Sequence, residues 1–146
     1  MADVFSKAKR SQIMAAIKSR GNNATEIRLV AIFRANGITG WRRHQPLPGK
    51  PDFIFRQERL AIFVDGCFWH GCRWHCRMPR SNRAFWQRKI ARNAARDRTT
   101  NRLLRYSGWK VLRVWEHSLR NSDLVTKRIK SELSMFREPC KHPPQR

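Results

Sequence analysis

Three of the chain's four cysteines and two of its five histidines fall within ten residues, Cys67-Phe68-Trp69-His70-Gly71-Cys72-Arg73-Trp74-His75-Cys76. Thiolate and imidazole in tetrahedral array suit Zn²⁺. Cys67 and Cys72, followed by His75 or Cys76, supply three ligand positions. His117, just past the run that ends at Trp115-Glu116, is the candidate fourth. The competing reading is a set of buried thiols in a small core. A reduced, intracellular fold gains little else from such crowding, which favours a metal. The choice between His75 and Cys76 stays open. His70 has two readings of equal standing: an alternative zinc ligand, or a general base beside a metal-bound water. Asp97, on a later helix, could orient its imidazole.

A second constellation is acidic. Asp52 follows Pro51 at the mouth of one strand-like run, and Asp65 closes the next. Paired carboxylates with a backbone carbonyl suit Mg²⁺, a hard cation that takes oxygen ligands. Such an ion polarises a phosphoryl oxygen and acidifies bound water. Glu26, on an early helix, could join them. Ordinary turn and cap carboxylates are an even alternative, since Pro-Asp is a common turn dipeptide. The aromatics form a third group. Phe68, Trp69 and Trp86 sit among basic residues and could stack on bases or wedge between base pairs. Packing in the core is the usual fate of Trp, and Trp109 and Trp115 read that way.

Composition says what these groups would act on. Lys and Arg number 32 against 10 acidic residues, a formal charge of +22 spread along the whole chain. Such a surface binds phosphate backbones by releasing condensed cations. A merely solvated surface, or attraction to anionic lipid, fits less well, because the cations are interleaved with six Trp. Nucleic acid is the expected partner. No stretch approaches the roughly 18 apolar residues of a membrane span, and Met1 to Arg20 lack the apolar middle of a secretion signal. An intracellular protein is expected. Cys140, alone in a Pro-rich tail, reads as a bystander.

The elements that must position these residues follow from pattern. The 146 residues suit one compact domain. Residues 7–19 can form a short basic helix within an N-terminal arm, 1–20. Residues 21–135 form the main domain, and 136–146 a disordered tail. Thr25 to Phe33 reads as a helix with Ile27, Val30 and Ile32 or Phe33 facing a core, ended by Gly37. Trp41 to His44 is a short strand, and Pro46 to Pro51 a turn-rich connector. Asp52-Phe53-Ile54-Phe55 and Leu60-Ala61-Ile62-Phe63-Val64 are strands around a polar turn. Ser81 or Asn82 caps a long basic helix to about Tyr106, stopped by Gly108. Trp109 to Trp115 alternates as a strand, and Asn121 or Ser122 caps a last helix to about Met135. The order α–β–β–β–α–β–α suits a mixed α/β fold, a central mixed sheet flanked by helices.

At these residues the chain resembles the very short patch repair (Vsr) DNA mismatch endonucleases. The matching stretches are Met14 to Arg20, Leu47 to Phe53, Phe63 to Cys72, Phe85 to Ile90, Asn93 to Asp97 and Gly108 to Glu116. They occur in the family's order and span roughly residues 1–134. The resemblance implies a restriction-endonuclease-like fold with structural Zn²⁺ held by Cys67, Cys72, His75 or Cys76, and His117. It implies a Mg²⁺-dependent nick beside the T of a T:G mismatch, the product of 5-methylcytosine deamination. By matching position Asp52 is the principal Mg²⁺ ligand, the Val64 carbonyl a second, and Glu26 a partner of metal-site water. His70, supported by Asp97, activates the attacking water. Phe68, Trp69 and Trp86 form the wedge, and the N-terminal segment clasps the DNA. The best-known members carry Thr at Val64, His at Asp65 and Cys at His117. A backbone carbonyl survives the first change and zinc accepts the third. Asp65 adds a carboxylate that could itself bind Mg²⁺. The expected protein is a monomer at the bacterial nucleoid, in the cytoplasm, acting on duplex DNA, with mismatch-repair proteins as candidate partners. The alternatives are a restriction-type nuclease of other specificity and a non-catalytic, zinc-stabilised DNA-binding protein.

Overall fold

The apolar run Leu60 to Val64 becomes the strand around which everything else is arranged. The structure is a computed structural model and describes residues 25–135 together with Ser6, Ala8 and Lys9. The expected arm helix over 7–19 is therefore almost wholly outside the described residues, and the tail beyond Met135 entirely so. The elements are α1 (Glu26–Ala35), β1 (Trp41–Arg43), β2 (Phe53–Phe55), β3 (Leu60–Asp65), α2 (Arg83–Tyr106), β4 (Lys110–Trp115), a 3-10 turn (Glu116–Arg120) and α3 (Ser122–Ser134). The order is the one the pattern predicts, with the 3-10 turn added.

One mixed four-stranded sheet runs β1-β2-β3-β4. The first three strands are antiparallel neighbours. β3 and β4 are parallel, pairing Phe63 with Arg113 and Asp65 with Trp115. A parallel pair needs a long crossover, and here it is the segment 66–82 followed by α2. Because β3 is covered on both faces, its run is apolar without alternation. On one face Leu60 and Ile62 pack with Leu29 and Phe33 of α1 and Ile129 of α3. On the other, Ala61 and Phe63 pack with Leu104 of α2.

Two sequence expectations shift in register. Ile27 is 39% exposed, whereas Leu29 and Phe33 are fully buried. The inward stripe of α1 is therefore Glu26, Leu29, Val30 and Phe33, at i, i+3, i+4 and i+7. The stripe starts on a carboxylate, which an apolar count passes over. Trp109 and Trp115 are only partly buried; Trp109 leans on the Phe63 cluster, and Trp115 stacks on His117 with ring centroids 6.3 Å apart. Asn121 caps α3, its side chain accepting from Leu124 N at 3.2 Å. Asn82 precedes α2 in a left-handed conformation (φ 54) and makes no side-chain cap. No helix among the described residues is long and apolar enough to cross a membrane.

The connector that delivers Asp52 touches α2 at Gly49. A Cβ there would come within 2.2 Å of Thr100 Cγ2, and the backbone is left-handed at φ 75. A left-handed non-glycine residue costs roughly 1–2 kcal/mol before any clash. Gly49→Ala is therefore expected to lower thermal stability by more than that amount. Adding Thr100→Ala should recover the steric part and leave the backbone part, as a double-mutant cycle by denaturant titration would read. Strictly additive losses would show that the loop does not lie against α2.

Candidate active site

The C-terminal half of β3, the start of β2, the start of α1 and the middle of α2 enclose a cavity of about 730 Å³. Glu26, Asp52, Val64, Asp65, His70 and Asp97 all line it. The sequence named these six from separate stretches, and the fold brings them to one place. How they arrive is simple. The hairpin register sets Phe53 against Ile62, so Asp52 falls opposite Phe63 and its side chain reaches the next residue, Val64, whose amide donates to Asp52 Oδ2 at 2.7 Å. Glu26 comes in on the buried stripe of α1. Asp97 lies on the inward face of α2, three residues before buried Thr100 and seven before buried Leu104.

Burial pushes the Asp52 carboxyl up to about 7, helped by a hydrogen bond with Glu26 and opposed by the Val64 amide. Glu26 is held in turn by Arg43, whose Nη2 donates to its Oε2 at 2.6 Å. Asp52 is thus a partly buried carboxyl whose hold on its proton is strengthened by its surroundings. That is the environment in which a divalent ion replaces the proton, and oxygen donors of this kind suit a hard metal. The connector before it is strained: His44 and Lys50 both have left-handed backbones at φ 51, the kind of conformation that persists only where its surroundings enforce it.

His70 Nδ1 lies 2.6 Å from Asp97 Oδ2. A carboxylate only accepts, so Nδ1 carries the hydrogen and Nε2 is the free lone pair of the neutral ring. The chain around His70 is pinned as well: Asn93 Nδ2 donates to Trp69 O at 2.8 Å. Asp65 behaves differently from Asp52. Arg113 Nη1 donates to both of its oxygens, at 2.8 and 3.0 Å. Arg113, Asn93 and Arg43 had no assigned role in the sequence reading. One signal for Arg113 was available: an Arg in mid-strand, on the same face as apolar Val111.

Cys67, Cys72, His75 and His117 converge, with all four ligand atoms within 4.8 Å of one another. His117 Nδ1 is 3.3 Å from Cys67 Sγ and 3.6 Å from Cys72 Sγ, and His75 Nδ1 is 3.6 Å from Cys72 Sγ. In a tetrahedron with ordinary Zn–S and Zn–N bonds the N···S edge is about 3.5 Å. The donor set therefore fits a zinc ion. Of the two alternatives left open, His75 joins the group, while Cys76 Sγ faces Phe68 O at 3.6 Å. Burial pushes the Cys67 thiol up, so an ion binding there would expel a proton. The 3-10 turn that brings in His117 was not foreseen.

Phe68, Trp69 and Trp86 form a partly exposed triangle, with centroids 5.2, 5.4 and 6.0 Å apart. Phe85 adjoins Trp86 at 5.2 Å, and Lys89 Nζ lies 5.2 Å from the Trp69 ring. α2 carries eight basic residues and one acid, Asp97. All eight cations are exposed, and Asp97 is not.

Residues 2–76 match the family described as DNA mismatch endonuclease Vsr. Over 129 residues the chain is 41% identical to DNA mismatch endonuclease Vsr of Escherichia coli (strain K12), covering 86% of this chain and 81% of that protein. It is 33% identical over 135 residues to the Type II nicking enzyme V.XorIIP of Xanthomonas oryzae pv. oryzae, covering 91% and 98% respectively. It is 53% identical over 68 residues to the Type II nicking enzyme V.NaeI of Lentzea aerocolonigenes, covering 47% and 41%.

Two outcomes follow from the buried groups. Unfolded, the Asp52 carboxyl loses its proton near 3.8, and folded, near 7. Its stabilising proton is fully present below 3.8 and lost as the pH rises through about 7. Asp52→Asn cannot ionise, so it should raise the melting temperature of the protein free of divalent ions by about 3 °C or more at about pH 8. The gain should shrink toward about pH 4; thermal denaturation across that range checks it. For the thiol cluster, Cys67→Ser should lose bound zinc and melt lower by about 10 °C, since structural zinc contributes to folding. Cys76→Ser should change neither elemental zinc content nor melting.

Proposed function

Because the chain belongs to the DNA mismatch endonuclease Vsr family and is an endonuclease acting on DNA phosphodiester bonds, we propose that it nicks one strand beside the T of a T:G mismatch with the help of Mg²⁺. The observation that carries this reading is the shared cavity, which Asp52 and the hydrogen-bonded His70–Asp97 pair line together. Asp52 would hold the ion, with the Val64 carbonyl as a second ligand and Glu26 bonding to its water. When bound, such an ion polarises the scissile phosphate and stabilises developing charge.

The chain's own groups do the rest. Nε2 of His70 takes the proton of the attacking water. Asp97 holds the ring in the tautomer that leaves Nε2 free, and favours the imidazolium once it forms. Phe68, Trp69 and Trp86 present aromatic faces beside that base, and their insertion at a weakly paired step costs less than at a matched one. The exposed cations of α2 bind phosphates without reading sequence. The zinc cluster ties the 66–82 segment to the 3-10 turn, and so fixes where His70 and the aromatics stand. A mixed sheet with acidic residues at adjacent strand ends, between helices, supports a restriction-endonuclease-like architecture. A monomer acting at the bacterial nucleoid on mismatches left by 5-methylcytosine deamination completes the proposal.

The test is a nicking assay on T:G, matched and branched duplexes with Mg²⁺. Wild type should nick the T:G duplex preferentially. Asp52→Ala should abolish nicking, and His70→Ala should slow it by about 10²–10⁴-fold. Equal cutting of matched or branched DNA would favour a nuclease of other specificity. Binding without cutting by every variant would favour a DNA-binding protein without catalysis.

A further inference from the structure

Asp65, His70 and Asp97 bring three ligand-type atoms within 4.8 Å of one another. Two carboxylates and an imidazole so close would ordinarily suggest a second metal position beside Asp52. A different cation already stands there. Parallel pairing sets Arg113 beside Phe63, one step along the same face from Asp65. The Arg113 guanidinium carbon lies 4.4 Å over the Phe63 ring, and its Nε donates to Asn101 Oδ1 at 3.0 Å. Nη1 donates to both oxygens of Asp65, and Nη2 is 3.5 Å from Asp97 Oδ1. Asp97 uses its other oxygen for His70 at 2.6 Å.

We propose that Arg113 is a positioning residue whose guanidinium replaces a second metal ion: it withholds Asp65 from the divalent site and locks Asp97 beneath His70. The inference deepens the metal-dependent reading given above and rests on it. Three features favour it. The guanidinium is planar, permanently charged and held on four sides, so it cannot withdraw as a flexible Lys could. Asp65 has a relative exposure of 4%, and both of its oxygens are engaged. Asp52, by contrast, accepts from the Val64 amide on the cavity wall, where a divalent ion meets no guanidinium bonded to both carboxylate oxygens. At Asp65 it would have to expel a fixed positive charge. The chain is thereby built for one ion, at Asp52, and its extra carboxylate does not add a second.

Mn²⁺ binding to the zinc-loaded full chain, followed by titration calorimetry and by the electron spin resonance of free Mn²⁺, tests this. Wild type should bind one Mn²⁺ through Asp52. Arg113→Met should bind a second, because both oxygens of Asp65 are then uncompensated. Arg113→Met/Asp65→Asn should return to one, with an affinity within about threefold of wild type. That double variant leaves no buried charge unpaired, so it keeps the measurement available where the single variant fails to fold. Loss of about tenfold or more in the double variant would make Asp65 a ligand and overturn the inference. So would a folded Arg113→Met that still binds one ion. A wild type that binds no Mn²⁺ would refute the Asp52 reading instead; the Arg113 inference would then be decided by whether Arg113→Met alone gains an ion.

Discussion

Carboxylates held within reach of one another repel, and four of them, two buried and two partly buried, line a single cavity in this chain. At an effective dielectric of 20, two unit charges 4 Å apart interact by about 4 kcal/mol, so such a cluster forms only where each member is neutralised separately. Here the four solutions differ. Glu26 takes Arg43, Asp65 takes Arg113 on both of its oxygens, Asp97 lies 3.5 Å from the same guanidinium and accepts from His70, and burial raises the Asp52 carboxyl to about 7. Where the fixed cations stand thus sets Asp52 apart from the other three.

The arrangement depends on a segment with little regular structure of its own. Between β3 and α2, residues 66–82 form neither helix nor strand, a length at which irregular chain in a small domain usually serves a purpose. Two features hold it. The Cys67, Cys72, His75 and His117 cluster joins it to the turn after β4. Asn93 reaches from α2 to the Trp69 carbonyl. His70 stands between these anchors. A histidine on a free loop would sample many orientations, whereas one bounded on both sides and bonded to Asp97 has few.

How much of this could be read in advance depends on the kind of signal. The apolar run of β3 and the turn residues around it set the order of elements, because burial on both faces of a strand leaves an unbroken pattern. Asp52, His70 and Asp97 were legible as candidates, and the Cys/His group because thiols and imidazoles crowded within ten residues suit a metal. Glu26 was legible as a candidate, but the register of its helix was not, since counting apolar residues put Ile27 inward. Arg113 illustrates a deeper limit. In sequence it is one of 32 basic residues, and only the parallel register with β3 shows that it faces Asp65. His117 needed the 3-10 turn after β4 to reach the thiols, and a five-residue turn leaves almost no periodic trace. Asp65 reads as a candidate ligand because carboxylates near a strand end often are, and only the register of the next strand shows the Arg113 that faces it.

α2 joins these parts because it is one rigid body. Trp86, Asn93 and Asp97 follow one another at spacings of seven and four residues, which returns them to a common face over about 16 Å of helix rise. That face holds an aromatic of the triangle, the anchor of the Trp69 carbonyl and the partner of His70. The remaining faces carry exposed cations. A polyanion bound along those faces is therefore registered against the cavity by helix geometry alone. The single acid of the helix is turned inward, where it cannot weaken that attraction and where an imidazole needs it. In a chain of charge +22, an outward carboxylate on this helix would cost little stability but would subtract from phosphate binding. Its inward placement makes one helix serve for both polyanion attachment and the orientation of a base.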